Sequence, residues 1–166
     1  MLPVIKIALL FGLSCRNNPT GTKRNSMSGI QAQIWKGSTF TIERTQIDGA
    51  VVFRFSGPFT ARDMYATLSP AALGNIFNSD AKLPHPPATV NIFDLTEVPY
   101  MDSCGLGLIV GHFVRCQNKG VRLVAAGASA RVRELFKTTR IDKLFPMTST
   151  VDEASSMAHP ISRPQP

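Results

Sequence analysis

Residues 92–107 of this chain read IFDLTEVPYMDSCGLG and carry its strongest structural signal. The apolar start predicts a buried strand that ends at the carboxylate of Asp94, and a short polar link follows. Met-Asp-Ser then leads into small residues that predict the start of a helix. We expect Ser103 at or beside the N-cap, where a hydroxyl accepts a bond from an otherwise unpaired backbone N–H. There it would be exposed beside the positive end of the helix dipole, where a phosphate is tolerated.

The elements before this stretch are two strands, two short helical segments, a loop and a third strand. They are predicted, in chain order, over residues 40–47, 50–56, 61–68, 70–77, 78–88 and 89–93. Asp48-Gly49 is typical of a two-residue hairpin turn between the first two strands. Thr60 and Asp63 have the spacing of a capping box. Three prolines between residues 78 and 88 argue against regular structure there.

The elements after Ser103 alternate between helices and strands. They are predicted as a helix closed by Gly120, a strand over 121–126, a helix capped by Ser129, an edge strand at 147–148, and a helix from Thr150 to about Ala158. Helical spacing places apolar residues of the first helix on one face, namely Leu106, Ile109, Val110, Phe113 and Val114, followed by Gln117. Three glycines share this helix, at positions 105, 107 and 111. Each costs about 1 kcal/mol in a helix interior, so we expect close packing on the sheet to account for them.

The order β-β-α-β-α-β-α-β-α predicts an α/β fold, with a single mixed β-sheet and helices packed mainly on one face. The predicted domain covers residues 38–158. Residues 1–37 are expected to be an extension that is disordered or reflects a start codon assigned too early, and residues 159–166 a disordered tail. The apolar run from Leu2 to Leu13 is broken by Lys6 and is too short to span a bilayer, and a signal peptide is the alternative.

Composition narrows the class of protein. Three cysteines without CxxC spacing and three isolated histidines predict neither a disulfide framework nor a metal site, which favours a reducing, cytoplasmic setting. The formal net charge is +7, of which +4 lies in residues 1–26. Residues 115–143 hold eight basic side chains against two acidic ones. These are expected to form a solvated surface, or alternatively a docking face for an acidic protein or a nucleotide.

Catalytic patterns are missing from the sequence. It shows neither a Ser–His–Asp order with supporting motifs, nor a paired acid and base, nor a phosphate-cradling Gly-x-x-x-x-Gly-Lys loop. Aromatic residues are not interleaved with the basic ones as in nucleic-acid-binding motifs. We therefore expect a binding module without a cofactor, rather than an enzyme.

The stretch around Ser103 resembles the phosphoacceptor loop of STAS domains, the anti-sigma-factor antagonists of bacteria. Their pattern is D-(L/F)-S-x-V-x-x-(M/I)-D-S-(S/T)-G-(L/A)-G, and residues 94–107 match it at nearly every position. The resemblance covers about residues 38–158 and implies the STAS fold. It also implies phosphorylation of Ser103 and a set of partner-binding residues, namely Thr60, Asp94, Met101, Asp102, Ser103, Cys104, Gly105 and Leu106.

The resemblance further implies a function. The unmodified chain would bind an anti-sigma factor that has a histidine-kinase-like ATPase domain and serine kinase activity, and so free a sigma factor. Phosphorylation of Ser103 would end the complex, and a phosphatase would reset it. The chain itself would be cytoplasmic and would contact neither nucleic acid nor membrane directly.

Two departures from the family pattern bear on function. Cys104 stands where Ser or Thr is usual, as a small residue of similar volume or as a redox-sensitive thiol at a helix start. Thr60 stands where family members often carry the Asp of Gly-Glu-Leu-Asp. One alternative is therefore a STAS docking module of a stress-signalling or lipid-transport complex without a phosphorylation cycle. Another is a nucleotide-binding regulator that uses the basic surface of residues 115–143.

Overall fold

A computed structural model describes residues 25–27, 30–37, 39–47, 49–66, 68–78 and 88–158. Several predictions lie outside these ranges, including most of the N-terminal extension, Asp48, most of the proline-rich loop, and the tail from residue 159. In the described ranges, each helix is too short or too polar to cross a lipid bilayer.

One mixed sheet of seven strands runs through the described chain in sequence order. Its strands are β1 (Asn25–Met27), β2 (Ile30–Lys36), β3 (Thr41–Ile47), β4 (Ala50–Ser56), β5 (Val90–Glu97), β6 (Arg122–Ala126) and β7 (Met147–Thr148). The pairings from β1 to β4 are antiparallel, and those from β4 to β7 are parallel. The predicted hairpin of β3 and β4 and the predicted parallel sheet are both confirmed.

Five α-helices complete the described fold. They are α1 (Ala61–Tyr65), α2 (Pro70–Asn78), α3 (Ser103–Asn118), α4 (Ala130–Thr138) and α5 (Val151–Ser156), with a short 3-10 helix at Ile141–Lys143. Helices α1 to α4 contribute to the main apolar cluster on one face of the sheet. Helix α5 covers a smaller cluster of valines, isoleucine and alanines on the other face. The predicted placement of helices mainly on one face is therefore confirmed.

Phenylalanines dominate the core beneath α1, α2 and α3. Phe53 and Phe55 of β4 and Phe93 of β5 are at most 2% exposed. The Phe55 ring stacks on the ring of Phe59, with centroids 4.8 Å apart, and meets Phe93 edge-on at 5.0 Å. This cluster lies below the carboxyl ends of β4 and β5 and supports the loops that leave them.

Two strands were not predicted. Strands β1 and β2 lie within residues 1–37, which sequence analysis assigned to an extension, and β2 pairs with β3 over five residues, from Ala32 to Lys36. The sheet therefore begins before the predicted domain boundary. Trp35 of β2 lies opposite Ile42 and packs on the main apolar cluster.

Element lengths also differ from the predictions. Helix α1 ends at Tyr65 rather than near Leu68, and α2 begins at Pro70, as expected for a proline in a first turn. Strand β5 does not end at Asp94 but continues to Glu97. Asp94 is therefore a strand residue, and the face of the sheet on which its side chain lies is set by the alternation of side chains along β5.

The buried face of α3 differs from the predicted one. Helix α3 buries Gly105, Ile109, His112 and Cys116, whereas Val114 is 42% exposed. Of the three glycines of α3, only Gly105 is in tight contact with another part of the chain. A Cβ atom at Gly107 would meet nothing within 4 Å, and one at Gly111 would meet only the Arg115 side chain. The expectation that sheet packing explains all three glycines is therefore wrong for Gly107 and Gly111.

Candidate functional site

The loops that follow β4 and β5 run side by side and bring the starts of α1 and α3 together. The Gly57 N–H donates to the Glu97 carbonyl at 3.0 Å, and the Phe59 N–H donates to the Tyr100 carbonyl at 3.0 Å. The Asp102 N–H then donates to the Phe59 carbonyl at 3.3 Å. These bonds extend the parallel pairing of the two strands beyond their ends and fix the entry into α3.

Asp102 is the N-cap of α3, with an extended backbone at φ −104° and ψ −176°. Its Oδ1 accepts from the Cys104 N–H at 2.8 Å and from the Gly105 N–H at 3.1 Å. Its Oδ2 accepts from the Ala61 N–H at 2.9 Å, at the start of α1. One carboxylate therefore satisfies donors of two helices and holds their starts in register.

Ser103 is the first residue of α3, beside the cap and not the cap itself. Its side chain is exposed, and its hydroxyl has no hydrogen-bond partner among the described residues. The simplest structural role for this serine, helix capping, is thus taken by Asp102. A free hydroxyl at the positive end of a 16-residue helix is open to modification by a negatively charged group.

Gly105 sets how closely α3 approaches the loop after β4. A Cβ atom at this position would lie 2.4 Å from the Phe59 carbonyl oxygen and 2.8 Å from Cγ of Met101. The backbones therefore meet at a distance that only glycine allows without a shift. Met101 itself is half-buried and packs on the main cluster, as does Leu106. Both lie under the loop and support it.

Thr60 caps α1 and is tied to Asp63. Its hydroxyl accepts from the Asp63 N–H at 3.3 Å and donates to the Asp63 carboxylate. The same carboxylate accepts from the Thr39 hydroxyl at 2.6 Å. The bonds from Thr39 and then Thr60 lower the pKa of Asp63 below its usual value. The nearest carboxylate to Thr60 along α1 is therefore bound to two threonines.

Asp94 lies in the sheet and is not brought to the Ser103 loop. It shares the strand face of Val90 and Ile92, opposite α3. Its carboxylate accepts from Nε of Arg54 at 2.9 Å and from the Thr96 N–H at 3.1 Å, as an Asx-type acceptor. Burial acts to raise the pKa of Asp94, but the bonds from Thr96 and Arg54 outweigh it and lower that pKa. Asp94 therefore forms a structural ion pair with Arg54.

A buried polar cluster between α3 and β5 was missed by sequence analysis. Nδ2 of Asn91 lies 2.9 Å from Nε2 of His112 and 3.4 Å from Sγ of Cys116. His112 is 2% exposed and sits among the rings of Phe53, Phe77 and Phe93. Burial, followed by the charges of Arg115 and Lys119, lowers the pKa of His112 to about 4. In the sequence, the four-residue spacing of His112 and Cys116 places both on one face of a helix, and this spacing could have indicated the cluster.

Cys104 follows Ser103 and is an exposed free thiol, whereas Cys116 is buried. Within the described ranges, His, Cys, Asp and Glu side chains form no group of three or more that could hold a metal ion. The arrangement offers an exposed hydroxyl, a tightly held loop and a neutral histidine that is not accessible. It suits recognition and modification of a surface by another protein.

Comparison with known proteins identifies the family to which the chain belongs. The family model for the STAS domain matches residues 41–154, from β3 into α5. The chain belongs to the STAS domain family. The predicted family and fold are therefore confirmed.

Curated relatives of this STAS chain carry a more specific name. The anti-sigma-B factor antagonist of Listeria monocytogenes is 40% identical over 60 residues, which are 36% of this chain and 53% of the relative. The chain thus spans about half the length of the curated relatives it matches, and an equal match is found in Listeria innocua.

Solved structures share the fold at low sequence identity. The Bacillus cell fate determinant SpoIIAA in its phosphorylated form is 19% identical, with a TM-score of 0.52 over 71% of this chain and 99% of that one. A sulfate transporter family protein from Wolinella succinogenes is 17% identical, with a TM-score of 0.55 over 68% of this chain and 88% of that one. These likenesses establish the STAS architecture alone.

Proposed function

We propose that this chain is an anti-sigma-factor antagonist that is switched off by phosphorylation of Ser103. In the unmodified state it binds an anti-sigma factor and so releases a sigma factor for transcription. The observation that carries the proposal is the free, exposed hydroxyl of Ser103 at the start of α3, beside a cap that Asp102 already provides. The names of the Listeria relatives support the same partner class.

The partner would contact the first turn of α3 and the adjoining loop. Ser103, Cys104 and Asp102 form the outer part of this surface, while Met101, Gly105 and Leu106 hold its shape from below. Thr60 contributes through α1, which the Asp102 carboxylate ties to α3. Asp94 takes an indirect part, because its contacts stabilise the strand that precedes the loop.

The switch follows from charge. A phosphate on Ser103 adds about −1.5 to −2 charges. Within α3 this charge is tolerated beside the helix start. In a protein interface it must be desolvated and repels any facing carboxylate, so the complex dissociates. The serine kinase activity belongs to the anti-sigma factor, and a phosphatase restores the binding form in the cytoplasm. The chain itself is a binding module and substrate, not an enzyme.

Incubation with ATP and a histidine-kinase-like anti-sigma factor from the source organism tests the proposal. We expect one added phosphate, mapped by mass spectrometry to Ser103, and none in Ser103→Ala. Ser129 is the matched internal control, because it also starts a helix but its hydroxyl accepts from the Val132 N–H at 3.3 Å. Modification of Ser129 or Thr96 with Ser103 unmodified would refute the assignment.

A second candidate is a STAS docking module without a phosphorylation cycle, as in a stress-signalling or lipid-transport complex. Thr60 favours it, because this residue supplies no carboxylate, and that of Asp63 is bound by Thr39 and Thr60. The Wolinella neighbour, named for the sulfate transporter family, shares the fold. In that case an anti-sigma factor would bind wild-type chain, Ser103→Ala and Ser103→Asp equally or not at all.

A further inference from the structure

The buried phenylalanines and the two tyrosines lie in different parts of the described structure. Of the ten phenylalanines in the chain, eight are buried in the core. The chain has only two tyrosines, and both are exposed, Tyr65 by 42% and Tyr100 by 38%. A single exposed ring needs no explanation, but exposed rings that lie close together mark an interaction site, so the location of the two tyrosines carries information.

Both tyrosines lie next to the first turn of α3. Tyr100 precedes Ser103 by three residues, and its carbonyl is held by the Phe59 N–H at 3.0 Å. Tyr65 is one turn after Ala61 on α1 and so shares its helix face, and the Ala61 N–H donates to the Asp102 carboxylate. Partial burial, followed by the charges of Cys104 and Asp102, raises the pKa of the Tyr65 phenol, in agreement with this position.

Arg131, in the first turn of α4, holds the Tyr100 ring. Its guanidinium carbon lies 5.3 Å from the ring centroid, within the range of a cation–π contact. The side chain is exposed and makes no ion pair with any described residue. The contact limits the motion of the ring, while the guanidinium keeps its hydrogen-bond donors for an external acceptor.

We propose that Tyr65, Tyr100 and Arg131 form a docking surface around Ser103 for an acidic face of the anti-sigma factor. This inference rests on the proposed function and names the residues that provide its affinity. Tyrosine and arginine are enriched among residues that dominate protein interfaces. A tyrosine ring buries a large area at little entropic cost, and a guanidinium offers several directed hydrogen-bond donors. The unpaired charge of Arg131 selects a partner carboxylate. The same carboxylate would face a phosphate on Ser103, which makes the switch stronger.

Titration calorimetry with the anti-sigma factor that binds wild-type chain tests this surface. Tyr65→Ser and Tyr100→Ser should each weaken binding by at least about tenfold, whereas Tyr65→Phe and Tyr100→Phe keep the ring and should stay within about threefold. Arg131→Ala should weaken binding by about fivefold and reduce its dependence on salt, because a charge pair across the interface is lost. Thermal midpoints should hardly change, because all three side chains are exposed.

Val114→Ser is the matched control. Val114 is as exposed as Tyr65 and lies on the same helix as Ser103, about 16 Å further along its axis. Its variant should bind within about twofold of wild type. If Ser103→Asp abolishes binding while the tyrosine and arginine variants bind like wild type, this surface is wrong and the proposed function stands. If no anti-sigma factor binds wild-type chain, the proposed function fails, and the inference falls with it.

Discussion

Helices α3 and α4 each follow a parallel strand and each have a serine at their start, but they use it differently. Ser129 is the N-cap of α4, and its hydroxyl accepts from the Val132 N–H at 3.3 Å. Ser103 lies one position inside α3, where the Asp102 carboxylate already accepts from two helix N–H groups. Because Asp102 caps α3, the hydroxyl of Ser103 is left available, whereas that of Ser129 is needed to cap α4.

The buried faces of the two helices differ as well. Helix α4 buries only the apolar side chains Val132 and Phe136. Helix α3 buries Ile109 together with the polar side chains His112 and Cys116. The helix with the candidate site is thus attached to the sheet through an ionisable group, whereas α4 is not. This contrast predicts that the two helices respond differently to pH.

The largest expected effect is a loss of stability in acid that depends on His112. Its pKa is near 4 in the folded chain because burial, Arg115 and Lys119 disfavour the charged form, against 6.5 for an exposed histidine. The unfolded chain therefore binds the proton more readily. The stabilising contribution is complete above pH 6.5 and is lost as pH falls towards 4, on the order of 3 kcal/mol.

Urea unfolding at a series of pH values measures this effect. The glutamine side chain of His112→Gln does not titrate. The free energy of unfolding of this variant should therefore vary much less between pH 6.5 and 4 than that of the wild-type chain, even if it is lower throughout. Parallel profiles for the two proteins would show that His112 does not anchor α3 in the way its burial indicates.

A smaller effect, of opposite sign at two positions of α3, tests how closely the first turn of this helix approaches the loop after β4. Helix α4 begins with Ala130, so its first turn accommodates a Cβ atom. At Gly105 that atom would lie 2.4 Å from the Phe59 carbonyl, and Gly105→Ala should cost about 2 kcal/mol. At exposed Gly107 it would meet nothing, and Gly107→Ala should gain up to about 1 kcal/mol. Chemical denaturation of both variants gives the signs, and stabilisation by both would mean that α3 does not touch the loop after β4.

The sequence predicted the elements whose patterns are local. The hairpin of β3 and β4, the capping by Ser129 and Thr150 and the edge strand β7 were found from turn residues, caps and periodicity. Strand β2 was missed because its alternating apolar residues do not mark the face of the strand that packs on the main apolar cluster. Ile34 lies opposite Glu43 on the outer face, while Trp35 faces the core, so its burial depends on pairing with β3 rather than on its own pattern.

The sequence predicted the region of the candidate site but not which of its residues caps α3. Asp and Ser are equally good N-caps, so the order Asp102-Ser103 cannot tell which one caps the helix. That choice is made by the Ala61 N–H, which binds the second oxygen of Asp102 and comes from a residue 41 positions away. The exposure of Tyr65 and Tyr100 is likewise a tertiary property, because nothing in their local sequence separates a surface ring from a core ring.

The smallest expected effect tests the two serines directly. Ser129→Ala removes the side-chain cap at the N-terminus of α4 and should lower the free energy of unfolding by about 1 kcal/mol. Asp102→Ala should cost at least as much, because it removes the cap of α3 and the bond to α1. Ser103→Ala should stay within a few tenths of a kcal/mol, since its hydroxyl has no partner among the described residues and alanine favours a helix. Urea unfolding at neutral pH resolves these differences. Equal losses at Ser103 and Ser129 would show that the Ser103 hydroxyl takes part in capping and is not left free for modification.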